Sequence, residues 1–166
     1  AAPAPGAAPA PGGFPGIPGF PAPAAGGGGA SGGTAQALDP NLAAVATGPL
    51  MLLANSQAPG MQKDGATIAG NFQAGQTLEG AFTFQPGKCY TVIGQAAGPS
   101  IQLEIQYVTP VPGLAPSVAK SGTGSQATIG AGSNCLKPLS PFPAQAKFII
   151  HAVSGAGVAA AQLYSK

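Results

Sequence analysis

The chain has 166 residues, including 27 Gly and 19 Pro, and only 6% are charged: six Lys, no Arg, two Asp and two Glu, for a formal net charge of +2. Scattered lysines without arginine forks exclude a nucleic-acid interface, which needs several cations gathered on one face. The richest apolar run, "LAAVATGPLMLLA", is interrupted by Gly48 and Pro49 and falls short of the ~20 residues that cross a bilayer, so no transmembrane segment is expected.

Residues 1–38 read as an arm or tether. Up to Gly33 nearly every residue is Ala, Pro or Gly, with Phe14, Ile17, Phe20 and Ser31 among the few exceptions. Such a stretch cannot fill a core; it is expected to be polyproline-like first and flexible over "GGGGASGG". Phe14, Ile17 and Phe20 in "GGFPGIPGFP" are apolar knobs that suit the arm to a partner protein or another copy, against the plainer expectation of a linker. The start lacks the cationic end and apolar centre of a signal peptide; an Ala-Ala-Pro beginning is what a mature chain shows after its export signal is removed.

Residues 39–65 are expected to be a linker with one short helix. Asp39 is placed to cap it with Pro40 in the first turn, and either "PNLAAVA" or the later "PLMLLANSQ" supplies its body. Residues 66–166 then change to period two. In "IQLEIQYV", Ile101, Leu103, Ile105 and Tyr107 point one way and Gln102, Glu104 and Gln106 the other, the pattern of a half-buried antiparallel strand. "QTLEGAFTF" turns Leu78, Gly80, Phe82 and Phe84 inward. "QAKFIIHAV" does the same with Ala146, Phe148, Ile150 and Ala152, leaving Lys147, Ile149 and His151 on the opposite face.

"KCYTVIG", "ATIAGNFQ", "PSVAK", "QATIG" and "GVAAAQLYS" bring the total to about eight strands, joined by links such as "QPG", "TPVPG" and "SGAG" that carry turn chemistry. The fold class is therefore all-β: an antiparallel β-sandwich of jelly-roll or immunoglobulin-like kind, with a small barrel as the other option. Strand order is not legible in the sequence.

Cys89 and Cys135 are the only cysteines. A metal site needs more ligands than the single His151 supplies, and no CxxC or carboxylate cluster is present, so no metal and no cofactor are expected. A disulfide fits the low-charge, Gly/Pro/Ser/Thr-rich composition best; two free buried thiols are the alternative. "APGM" at 58–61, "AGQTLEGAFTFQPGKCYTVIGQA" at 74–96, the second cysteine and the closing "GAGVAAAQLYSK" together resemble a group of predicted exported proteins of myxobacteria and their relatives. The resemblance covers roughly 110 residues. It implies an exported envelope or surface domain, often lipoprotein-like, in which Cys89 and Cys135 pair, and it brings no active site.

Remaining candidates read more simply as structure than as chemistry. His151 belongs with Lys147 on the polar face of its strand, as a solvent-facing histidine. Glu79 and Glu104 point outward on separate strands; glycoside hydrolysis would require them across a cleft. Tyr90, Tyr107 and Tyr164 suit packing better than a sugar platform, and there is no Trp. No catalytic residues are assigned. The sequence thus predicts a non-enzymatic, extracytoplasmic structural or assembly protein, self-associating or bound to an envelope partner. A monomeric glycan- or peptide-binding module on a flexible tether is the competing expectation.

Overall fold

The structure is a computed structural model that describes residues 33–109 and 116–166. Nine strands and one α-helix follow in the order β1 (Gln36–Ala37), α1 (Pro40–Gln57), β2 (Gln62–Gln73), β3 (Thr77–Phe84), β4 (Tyr90–Ala97), β5 (Ser100–Tyr107), β6 (Ser117–Gly124), β7 (Gln126–Ile129), β8 (Ala144–Ser154) and β9 (Ala156–Ser165). A single 3-10 turn, Gly132–Asn134, precedes the second cysteine. The eight expected strands are all present, and the two-residue β1 adds a ninth.

The named strands all pair antiparallel, and one isolated parallel bridge joins Thr34 to Thr77. One sheet has the order β1-β2-β9-β4-β7 and the other β3-β8-β5-β6. Setting β1 aside, the first and last of the remaining eight strands pair (β2 with β9), then β3 with β8, β4 with β7, and β5 with β6. That nested pairing is the jelly roll, two facing sheets wound from one folded-over ribbon, so strand order decides against the immunoglobulin-like and barrel alternatives.

The inward residues of both sheets meet as the period-two pattern requires. Phe72, Phe84, Tyr90, Val92, Ile101, Leu103, Ile105, Ile150 and Leu163 are fully or almost fully buried between them. Phe82, Phe84 and Tyr90 form an aromatic knot with ring centroids 4.8 to 5.7 Å apart, a spacing that favours edge-to-face contact. Tyr90 also fastens the turn beside the first cysteine, since its hydroxyl accepts from Gln85 N–H at 2.7 Å and donates to Thr83 O at 3.3 Å. At the strand partner of Phe148, Gly80 leaves room for the ring: a Cβ there would lie 2.5 Å from Phe148 Cζ.

The two helical candidates are one helix. α1 runs unbroken for 18 residues with Pro49 inside it, although proline removes one backbone hydrogen bond and disfavours helix in the residue before it. Packing outweighs that local cost. Leu50, Leu53, Ala54 and Ala58 recur at helical spacing and dock on Ala69, Ile93, Ala160 and Tyr164 of the five-stranded sheet's outer face. Burial of Leu50, 1% exposed, contributes about 2 kcal/mol by itself.

The expected linker is consequently part of the fold. β2 begins at Gln62 rather than near residue 66. The last residues of the expected arm are built in as well: Gln36 and Ala37 pair with Asn71 and Gly70, and the side chain of Ala35 enters the main core. Three layers result, helix on sheet on sheet, with β9 buried on both faces from Ala159 to Ser165.

Candidate functional site

Cys89 and Cys135 form a disulfide with Cα atoms 5.4 Å apart, and the described residues contain no free thiol. Tyr90 and Leu136 exchange backbone hydrogen bonds of 2.9 and 2.8 Å beside it, and Cys89 exchanges two more with Lys166, at 2.9 and 3.0 Å. The disulfide therefore clamps the start of β4, the 3-10 turn and the C-terminal end of β9 at one pole of the sandwich. Neither sulfur is available as a nucleophile or metal ligand, and no group of three or more His, Cys, Asp or Glu side chains converges among the described residues.

The outer face of the four-stranded sheet gathers Glu79, Glu104, Lys120, Lys147 and His151. Cross-strand register makes rows of Thr77, His151, Gln102 and Thr123; of Glu79, Ile149, Glu104 and Lys120; and of Ala81, Lys147, Gln106 and Ser117. Here two expectations need correction. Glu104 points away from the core as expected but is only 5% exposed. Lys120 Nζ lies 3.2 Å from its Oε2, and Gln106 Nε2 donates to its Oε1 at 2.9 Å. Burial acts to raise its pKa, but hydrogen bonds from Gln106, Ser117 and Lys120, together with the lysine's charge, prevail and hold the carboxyl below its ordinary value.

His151 is not a free solvent-facing histidine either. Its side chain is one-third exposed, and Nε2 sits 3.2 Å from the same Glu104 oxygen, out of line for a hydrogen bond, so that nitrogen is buried without a donor–acceptor partner. Glu79, by contrast, is half exposed and bonded to Lys147 Nζ at 2.8 Å. The two carboxylates stand two strands apart with Ile149 between them, and each carries its own lysine on an open sheet face. They act as acceptors that order the face, not as an acid–base pair across a cleft.

The tyrosines do not share a platform. Tyr90 and Tyr107 both contact Phe84 in the core, while Tyr164 lies beneath α1, where burial raises its phenol pKa above the ordinary value. Beside Tyr164, β2 and β9 lose register: Asp64 pairs with Leu163 and Ile68 with Ala161, so three residues face Gln162 alone. The amide of Gln162, 2% exposed, fills the gap. Its Nε2 donates to Asp64 O, Gly65 O and Leu163 O at 3.2, 3.3 and 2.8 Å, and its Oε1 accepts from the Thr67 hydroxyl. Sequence reasoning counted Gln162 only within a strand; the signal was one amide inside an otherwise apolar closing segment.

Most conspicuous is the surface that α1 makes. The helix contains no ionisable side chain from Pro40 to Gln57. Having buried Leu50 against the sheet, it still presents Leu42, Met51 and Leu52 to solvent at 57, 64 and 75% exposure. These side chains form an apolar surface that nothing among the described residues covers. Grooves flank it on either side. One, of about 630 Å³, mixes Met51 and Met61 with Asn55, Lys63, Thr67 and Tyr164. The other, of about 450 Å³, is lined almost wholly by apolar side chains, with Gln95 its one polar member. Further apolar side chains, Leu139 and Phe142, are exposed in the loop after the disulfide.

The proposed arm contacts Phe14, Ile17 and Phe20 lie outside the described residues. No helix among the described residues is long and apolar enough to cross a membrane. Compared with known proteins, the chain matches no protein-family model and no curated sequence. The resemblance to exported myxobacterial proteins accordingly rests on the quoted motifs alone.

Proposed function

We propose that this is a non-catalytic, extracytoplasmic structural protein that associates with copies of itself, through α1 and the N-terminal arm. The observation that carries this reading is α1: an uncharged helix, docked by one face, that leaves Leu42, Met51 and Leu52 uncovered. A second copy is the natural occupant because a net charge of only +2 imposes little mutual repulsion on identical surfaces. The disulfide suits an oxidising compartment outside the cytosol. It also stiffens a small fold whose first and last long strands must find each other.

Light scattering of the full chain across a wide concentration range tests this directly. The expected mass rises above one chain with concentration, and Met51→Lys with Leu52→Lys lowers it. A single-chain mass at every concentration would discard the reading. A second reading, a cell-surface module for a glycan or short peptide, is favoured by the larger groove, whose size and mixture of Asn55, Lys63 and Tyr164 with methionines suit a small ligand. Glycan-array binding that disappears in a Tyr164→Ala variant would select it.

A further inference from the structure

We infer that the Phe14–Phe20 segment of one copy seats in the apolar groove between α1 and strands β4 and β9 of the next, making a head-to-tail contact. The inference rests on the self-association reading above and names one contact within it, beside the exposed Met51 and Leu52.

The donor has the right periodicity. Residues 13–21 are three triplets, Gly-Phe-Pro, Gly-Ile-Pro and Gly-Phe-Pro. A polyproline helix has three residues per turn, so in that conformation Phe14, Ile17 and Phe20 would share one edge, about 9 Å apart given its ~3.1 Å rise. Proline at every third position keeps the ordering entropy of that edge low. The acceptor has matching chemistry. Leu38, Leu42, Pro49, Ala97 and Val158 line it, with Gln95 supplying one amide for backbone carbonyls that a polyproline helix leaves unpaired. Neither surface carries a charge to desolvate.

The described start of the chain lies across the sandwich edge from the groove. Leu38, which lines the groove, hydrogen-bonds through its N–H to Ala69 O at the five-stranded sheet. From there the chain crosses the sandwich edge toward its N-terminus: Ala35 N–H donates to Thr77 O at 2.8 Å and Gly33 O accepts from Thr77 N–H at 3.0 Å, both on β3 of the opposite sheet. Gly33, where the described chain begins, thus lies at β3, in the sheet opposite the one that α1 covers. Residues 21–33 between Phe20 and that point reach at most ~43 Å, at ~3.3 Å per residue, enough to meet an adjoining copy. Such a contact is heterologous, so it propagates into chains or closes into rings.

Complementation tests it in the full chain. One variant, Phe14→Ser with Phe20→Ser, disables the arm; another, Leu42→Lys with Val158→Lys, disables the groove at two exposed positions. Each alone is expected to associate at least about tenfold more weakly than the unaltered chain. Mixed together they should restore a complex of two chains, because an intact arm then meets an intact groove. Unchanged melting temperatures establish that both variants fold. Groove variants that associate like the unaltered chain would overturn this inference while leaving self-association standing, as would a mixture that stays single-chain. An unaltered chain that never associates would overturn both.

Discussion

Breaking the disulfide is the most quantitative perturbation that the structure offers. Cys89 and Cys135 are 46 positions apart, and the crosslink removes loop-closure entropy from the unfolded chain. In the chain-entropy picture that is about 13.5 cal/mol/K, or about 4 kcal/mol at 25 °C. For a domain of this size the unfolding entropy is about 0.27 kcal/mol/K, so the melting temperature should fall by about 12 to 15 °C. The paired backbone bonds of Tyr90 and Leu136 do not depend on the sulfurs, so the native clamp is expected to survive reduction. The loss therefore belongs mostly to the unfolded state. Calorimetry of the oxidised chain, the reduced chain and a Cys89→Ala, Cys135→Ala variant measures it; reduced and Ala forms should agree within about 1 kcal/mol, the small packing loss at Cys89 aside. A drop below about 3 °C would refute the reasoning, since it would mean that the bond constrains little of the unfolded ensemble.

Further outcomes follow from single side chains. Leu50→Ala should cost about 3 kcal/mol in denaturant unfolding by emptying the seam beneath α1. Gly80→Ala drives a methyl into the Phe148 ring and should cost about 1 to 3 kcal/mol, relieved in a Gly80→Ala, Phe148→Leu double variant. Gln162→Leu strips the irregularity between Asp64 and Ile68 of its bonds and should destabilise by about 2 to 3 kcal/mol, with faster amide exchange confined to residues 62–68. The folded pKa of Glu104 is depressed, so its stabilising effect is present above the ordinary carboxyl range and lost as pH falls through the folded value. Melting temperatures from neutral pH into the acid range should consequently fall less steeply in Glu104→Gln than in the unaltered chain.

The period-two segments were legible because each strand has one face in the core and one outside it. Leu78, Phe84, Ile101, Ile105 and Ile150 all lie where their alternation placed them. Cys89 and Cys135 were legible through scarcity: two sulfurs and one histidine left few other chemistries. α1 was not, because Gly48 and Pro49 locally argue for two pieces, and only the sheet beneath Leu50, Leu53 and Ala58 makes one helix the better packed choice. Glu104 and His151 misled for a related reason. Alternation reports the side of a strand, but neighbouring side chains decide whether that side is wet.

Composition and alternation thus fixed an all-β domain with a staple, an arm of Ala, Pro and Gly, and almost no electrostatic field, since these are properties of residue types and their immediate spacing. Only the tertiary structure decided that the sandwich is a jelly roll, that residues 34–65 belong to it, and that α1 covers the outer face of β9. Those outcomes depend on contacts between residues far apart in the chain, such as Gln62 with Ser165, whose energies no local window contains.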